Sequence, residues 1–114
     1  MRTLNRSALI VTPKQPLLEW LHSIDPSSRD LKMADLQSDP SVYLFPECND
    51  DSELTRHLKR ACKGIYEQEL ENWDRLEETW PKDRSFEAFQ RWFDYSTHSM
   101  IFDLADQTLE LEES

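Results

Sequence analysis

The sequence predicts a single layered α/β or α+β domain, with about three short strands covered by three helices in the order β-α-β-α-α-β. Three patterns indicate this class. Two short apolar runs end at prolines, and a long segment repeats apolar residues at helical spacing. A stretch near the C-terminus has side chains that alternate between two faces, as in a strand. The 114 residues suit one domain, which we assign to residues 1–106, followed by an acidic tail at residues 107–114 that we expect to be frayed.

Two strands and a helix are predicted in the N-terminal half. Residues 7–12 (SALIVT) form a continuous β-branched run, which is typical of a strand with both faces covered. Residues 42–45 (VYLF) form the second run, and Pro46 closes it. The helix between them repeats its apolar side chains at helical spacing: Leu17, Trp20, Leu21 and Ile24. This unit fits a right-handed parallel crossover.

The longest helix is predicted over residues 52–73, and its acidic first turn suits the helix dipole. Its apolar side chains form one stripe: Leu54, Leu58, Ala61, Cys62, Ile65 and Tyr66. The single glycine of the chain, Gly64, falls in the middle of this helix, where we expect it to allow close packing.

A third helix and a third strand complete the predicted fold. Ser85 is placed to cap the helix, whose aromatic side chains repeat at helical spacing: Phe86, Phe89, Trp92 and Phe93. Residues 98–105 alternate between two faces, which predicts a strand. Its direction relative to the other strands stays open.

The charge balance limits the classes of partner. The chain has 23 Asp and Glu residues against 13 Lys and Arg residues, a formal net charge of −10. Such a field repels phosphate backbones and anionic lipids. The charge is compatible with a basic protein partner or with nothing more than solubility. We expect neither nucleic acid nor membrane as a partner, while monomer and homodimer both remain open.

The scarcity of glycine excludes several families of sites. Phosphate-cradling loops, dinucleotide fingerprints and nucleophile elbows need glycines for tight turns and close backbone approach, and none of these motifs occurs in the sequence. The sequence also lacks a His-Glu-x-x-His motif, an EF-hand loop and a His/Cys cluster at metal spacing. We therefore predict no cofactor and no metal site.

The two cysteines, Cys48 and Cys62, form neither a disulfide framework nor a Cys-x-x-Cys motif. Cys62 lies on the apolar stripe and is expected to be buried, whereas Cys48 follows a strand and is expected to be more accessible. The longest apolar run near the N-terminus, residues 8–11, is too short for a signal sequence or a membrane span. We expect a cytoplasmic protein.

A basic stripe is the first candidate binding feature. Four cations share one face of the long helix at spacings i, i+3, i+4 and i+7: Arg56, Lys59, Arg60 and Lys63. In an acidic chain this local reversal of charge can receive an acidic partner or a phosphorylated group. The alternative is a solvated face whose charges pair with Glu53, Glu67 and their neighbours.

The connector at residues 80–84 (WPKDR) is the second candidate, because rigid connectors often carry binding residues. In one interpretation Trp80, Lys82 and Arg84 bind a ligand, with Arg84 offering a bidentate fork to a carboxylate or phosphate. In the other, Trp80 fills the edge of the core and the end of the connector caps the next helix.

His98 and Asp103 are the weakest candidates for catalysis. On one strand they would point to opposite faces and stand about 16 Å apart, so they would not form an acid/base pair. Asp103 is the more interesting of the two, because it interrupts an apolar stretch and is expected to be partly buried. A partly buried acid is either a functional group with a shifted pKa or a structural acid paired with a cation.

Three segments together resemble a family of small, uncharacterised bacterial proteins. These are the VYLFPE stretch, the WPKDRSF connector, and the ending in which Trp92 and Phe93 precede His98, Ser99 and Met100. The resemblance covers nearly the whole chain. It implies a bacterial protein and supplies no activity, cofactor or catalytic residue.

Two functional interpretations remain after these exclusions. The first is a non-enzymatic interaction or regulatory module that meets its partner at the basic stripe or at the acidic remainder of the surface. The second is a small enzyme or ligand-binding domain with a pocket near Trp80, Lys82, Arg84 and His98, with Asp103 as a further member. A pocket that holds two or more of these five side chains would favour the second interpretation.

Overall fold

The structure is a computed structural model, and it describes residues 1–112. Its strands are β1 (Arg2–Thr3), β2 (Arg6–Pro13), β3 (Ser41–Pro46), β4 (Phe93–His98) and β5 (Phe102–Asp103). Its α-helices are α1 (Gln15–Ile24), α2 (Met33–Leu36), α3 (Asp51–Glu71) and α4 (Phe86–Trp92). The predicted mixed α/β class is confirmed. The two-residue strand β1 lies outside the predicted elements, whereas β5 lies inside the strand predicted over residues 98–105.

The apolar run of β2 lies at the centre of a three-stranded sheet in the order β3-β2-β4, and both of its neighbours are antiparallel to it. The predicted parallel crossover from β2 to β3 is therefore wrong. After α1 the chain folds back, and the side-chain amide of Gln37 donates a hydrogen bond of 3.0 Å to the carbonyl of Pro13. The chain thus returns to the C-terminal end of β2, so β3 starts beside Val11 and runs antiparallel to β2.

The helices cover one face of this sheet. Leu9 and Val11 of β2 point into the core beneath the helices and are fully buried. On the other face, Ile10 is half-buried, and its neighbours on β3, Val42 and Leu44, are 60% and 47% exposed. The predicted cover on both faces is thus incomplete, because Val42 and Leu44 remain exposed on the face away from the core.

The core combines aromatic and aliphatic side chains. The ring of Tyr66 meets Phe93 edge-on with centroids 5.1 Å apart, and Phe89 lies 5.2 Å from Phe93. Trp20 and Trp92 pack 6.3 Å apart, and the indole N–H of Trp20 donates to the carbonyl of Thr79 at 2.9 Å. These aromatic side chains supply a large apolar area to a small domain.

Helix α3 begins with a reciprocal cap. The carboxylate of Asp50 accepts from the backbone N–H of Glu53 at 2.8 Å, and the Glu53 carboxylate accepts from the N–H of Asn49 at 2.7 Å. Cys62 is buried as predicted. Gly64 is exposed, and a Cβ added there would meet no atom within 4 Å, so the expected close-packing role is wrong.

The third strand lies earlier than residues 98–105. Ser85 caps α4 as predicted, by accepting a hydrogen bond of 3.2 Å from the N–H of Ala88. Phe93 ends the helical register and begins β4, because Phe93 and Tyr95 point inward opposite Pro13 and Val11. Beyond β4, residues 99–101 belong to no strand, and β5 then pairs with β1 in a separate two-stranded ribbon.

Candidate functional site

The four cations of the predicted stripe lie together on the solvent side of α3. Arg56, Lys59, Arg60 and Lys63 are all exposed, whereas the opposite side of the helix is buried in the core. We call this surface the basic face. The exposed positions follow from the helical period, which separates the cations from the apolar stripe by about half a turn.

Ion pairs inside the domain occupy only part of the basic face. Arg56 lies 4.0 Å from Glu53, a loose pair on the same helix, and the ammonium of Lys59 lies 5.6 Å from the centre of the Phe86 ring. Arg60 and Lys63 make no ion pair within residues 1–112. Two of the four charges are therefore free for a partner.

In the connector at residues 80–84, the side chains of Trp80 and Arg84 make contacts within the domain. The indole N–H of Trp80 donates to the carbonyl of Asp74 at 2.8 Å, and its ring packs against the core. Arg84 places its Nε 3.2 Å from a Glu67 oxygen and donates from Nη1 to the carbonyl of Pro81 at 2.7 Å. Lys82 is exposed and makes no ion pair among the described residues.

Asp83 prepares the start of α4. Its carboxylate accepts from the backbone N–H of Ser85 at 3.1 Å and lies 3.4 Å from Arg91. The hydrogen bonds from Ser85, helped by the charge of Arg91, hold the pKa of Asp83 below its ordinary value. These contacts agree with the structural interpretation of the connector.

His98 and Asp103 lie on different strands of different sheets, which corrects their predicted placement on one strand. His98 is exposed at the end of β4, and its Nε2 is 3.0 Å from the hydroxyl of Ser96. Asp103 lies on β5, and its half-buried carboxylate is 3.3 Å from Arg2. Asp103 therefore forms an ion pair with Arg2 inside the ribbon. His98 and Asp103 do not form a catalytic dyad.

A depression of about 240 Å³ lies where the start of α3 meets the ends of β2 and β4, and both Cys48 and His98 line it. The thiol of Cys48 donates to the carbonyl of Pro46 at 3.3 Å, and the backbone N–H of Cys48 donates to the hydroxyl of Ser7 at 3.2 Å. The thiol and the imidazole are thus engaged with other groups, and no hydrogen bond joins them.

A second depression, of about 230 Å³, lies at the other end of the sheet. We call it the Glu69 cleft, after the carboxylate at its base. Glu69 is only 4% exposed, and the hydroxyl of Tyr43 donates to its Oε2 at 2.5 Å. Burial, and then the hydrogen bond to Glu69, raise the pKa of Tyr43 well above its ordinary value, so the phenol remains a neutral donor.

The Glu69 cleft is absent from the sequence-based predictions, although the sequence contains a signal for it. Leu58, Cys62 and Ile65 follow one another at core spacing along α3, and Glu69 occupies the next position of that same stripe. An acid at a core position of a helix is rarely buried without a partner. The partner, Tyr43, comes from a strand that periodicity does not connect to α3.

None of the four depressions described among residues 1–112 holds two of the five side chains of the second interpretation. His98 lines the first depression, Asp103 lines one beside the β1/β5 ribbon, and the connector residues line neither. Within the same residues, no helix is long and apolar enough to span a membrane.

Comparisons of the chain with protein-family models, with curated proteins and with solved structures find no match. The resemblance to small bacterial proteins therefore stays a prediction.

Proposed function

We propose that this protein is a non-enzymatic interaction module of the cytoplasm, and that its basic face binds an acidic surface of a partner protein. The observation that carries the proposal is the state of Arg60 and Lys63. Both are exposed and lack an ion pair within residues 1–112, although the chain has a net charge of −10. The acidic residues among positions 1–112 form no ion pair with them.

The geometry of the basic face suits a row of carboxylates. Its first and last cations, Arg56 and Lys63, are seven residues apart on one helix, a span of about 10 Å. The two arginines can each offer two parallel hydrogen bonds to one carboxylate. The rest of the surface is mainly acidic and repels an acidic partner, so electrostatic attraction favours approach to this face.

The positions of the other candidates favour binding over catalysis. Arg84 pairs with Glu67, whereas His98 lines a depression beside Asp51. Glu67 and Asp51 are sixteen residues apart on α3, or about 24 Å along the helix, and Arg84 and His98 lie beside them. Groups that share a proton must come within hydrogen-bond reach, which this separation prevents.

The cytoplasmic location rests on the cysteines. Both Cys48 and Cys62 are free thiols, and Cys62 is buried as a small apolar side chain. Free thiols persist in reducing compartments, where disulfides are rare.

The test is affinity capture from a lysate of the native host, followed by mass spectrometry. The variant is the double charge reversal Arg60→Glu and Lys63→Glu. The matched control is Arg29→Glu and Lys32→Glu. It changes the net charge equally at two exposed cations that lie between α1 and α2, outside the basic face. All three proteins should melt at similar temperatures, because exposed charges contribute little to stability.

We expect the wild-type protein and the control to retain the same acidic partner, and the basic-face variant to lose it. Binding of poly-glutamate should follow the same pattern and weaken as salt is added, since screening acts on exposed charges. An identical set of captured proteins for all three chains would contradict the proposal.

A further inference from the structure

The buried carboxylate of Glu69 has no counter-charge in the part of the chain that the structure describes. Its Oε2 accepts the hydrogen bond from Tyr43, but its Oε1 accepts none from a described residue. No Lys, Arg or His within residues 1–112 forms an ion pair with it. A carboxylate that is mostly buried is usually paired with a cation. Glu69 lines the cleft, so a cation that enters the cleft would supply the partner that the described residues do not.

The walls of the Glu69 cleft add negative charge. Asp35 and Asp39 line its rim together with Glu69, and no Lys, Arg or His side chain lines it. A cleft bordered by charges of one sign concentrates the field and raises the local concentration of ions of the other sign. The cleft therefore attracts cations.

Its size and its aromatic wall indicate which kind of cation fits. The volume of about 230 Å³ is smaller than that of typical pockets for drug-sized molecules, so it suits a group of side-chain size. Trp73 lines the cleft beside Glu69, and an indole attracts a planar cation that stacks on its face.

The carboxylates are arranged for an organic cation rather than a metal ion. Among the described residues, no three His, Cys, Asp or Glu side chains are grouped closely enough to hold one metal ion. A guanidinium instead spreads five N–H donors over a plane and reaches acceptors that do not converge on one point.

We propose that the Glu69 cleft binds a guanidinium group, with Glu69 as its counter-ion and Trp73 as the surface on which it stacks. The group comes either from a small guanidine or from an arginine side chain of a protein. This site is separate from the basic face, because Glu69 lies on the buried side of α3 and the four cations lie on its exposed side.

Four probes separate the chemistry and its source. Methylguanidinium represents a free small molecule, and a blocked Gly-Arg-Gly peptide represents an arginine side chain. The corresponding citrulline peptide has the same shape without the charge, and tetramethylammonium has the charge without N–H donors. Binding is followed by the NMR signal of the Trp73 indole N–H, which reports on the wall of the cleft.

Two variants and one control assign the signal to the cleft. Glu69→Gln removes the charge and keeps an amide oxygen that accepts from Tyr43, so the fold should persist; a thermal melt checks it. Asp39→Asn, at an exposed rim position, is a milder second variant. Glu71→Gln removes the same charge from the exposed surface of α3, outside the cleft, and is the control.

We expect at least one guanidinium probe to bind, and Glu69→Gln to weaken it by about tenfold or more. Asp39→Asn should weaken it by a smaller factor, and Glu71→Gln should leave it unchanged. Binding of methylguanidinium identifies a free guanidine as sufficient, and binding of the peptide alone identifies a protein arginine. The proposal is overturned if neither probe binds, if the citrulline peptide or tetramethylammonium binds equally well, or if both cleft variants bind like the wild type.

Discussion

The guanidinium of Arg84 lies 3.2 Å from the carboxylate of Glu67, and this ion pair joins the connector to α3. Glu67 is four residues after Lys63 on the same helix, and it is the acid that helical spacing predicts as the partner of that lysine. Because Glu67 pairs with Arg84 instead, Lys63 remains without an ion pair inside the domain. The fold of the connector thereby leaves part of the basic face open.

Removal of the Glu67 charge should destabilise the protein. Both members of the pair are about one-quarter to one-third exposed, so Glu67→Gln should lower the free energy of unfolding by about 1 kcal/mol, as measured by urea denaturation. Arg91→Gln is the control, because it breaks an ion pair with Asp83 that is more than half exposed and screened by water, so its effect should be smaller. Equal losses of unfolding free energy in the two variants would show that the pair of Arg84 and Glu67 stabilises the protein no more than an exposed ion pair does.

Substitution of the single glycine should stabilise the protein. Gly64 is exposed in the interior of α3, and a Cβ added there meets no atom within 4 Å. Gly64→Ala should therefore raise the free energy of unfolding by about 0.5–1 kcal/mol, through better helix propensity and a less flexible unfolded chain. Urea denaturation measures the change, and a lower midpoint would mean that the position is packed after all.

Periodicity in the sequence predicts the three main helices, because helix formation depends on residues within seven positions of one another. The pairing of β2 with β3 instead joins residues about thirty to forty positions apart, as Val11 with Ser41 and Arg6 with Pro46, and periodicity within one element does not predict it. The early start of β4 is hidden for another reason. Phe93 continues the helical spacing of Phe86 and Phe89 and also begins the inward alternation of the strand, so both assignments fit it.

The two candidate surfaces differ in how far the sequence predicts them. The basic face needs only the helical period, and its four cations are exposed as predicted. The Glu69 cleft needs Tyr43 and Glu69 to meet, and they lie on separate elements, twenty-six residues apart. Likewise, the sequence alone does not predict that Trp80 donates to the carbonyl of Asp74 or that Arg84 pairs with Glu67.

Loss of the cap at the start of α3 should cost about 1 kcal/mol. Asp50→Ala removes the carboxylate that accepts from the N–H of Glu53 and leaves that donor without its partner. The neighbouring Asp51→Ala is the matched control, because the Asp51 side chain makes no hydrogen bond among the described residues and contributes only a few tenths of a kcal/mol through the helix dipole. Urea denaturation of the two variants should show the difference, and equal effects would contradict a specific cap.

Tyr66 should make the protein less stable in alkali. Its hydroxyl is buried, no described residue hydrogen-bonds to it, and burial raises its pKa well above the ordinary value of about 10. The folded protein therefore keeps the proton on Tyr66 at a pH where the unfolded chain releases it. The stability that the neutral phenol contributes is complete below pH 10 and is lost as the pH rises through the range above it.

Tyr66→Phe tests this linkage directly. Near neutral pH the variant should be as stable as the wild type or more stable by up to about 1 kcal/mol, because it removes a hydroxyl without a partner and leaves the ring contacts with Phe93 in place. Above pH 10 the wild type should lose stability more steeply, by up to about 1.4 kcal/mol per pH unit. Burial also raises the pKa of Cys62, and the pKa of Tyr43 is raised as well, but both groups are present in the two proteins. The difference between the two curves from urea denaturation at pH 8 to 11 therefore isolates Tyr66, and parallel curves would show that its hydroxyl is solvated in the folded state.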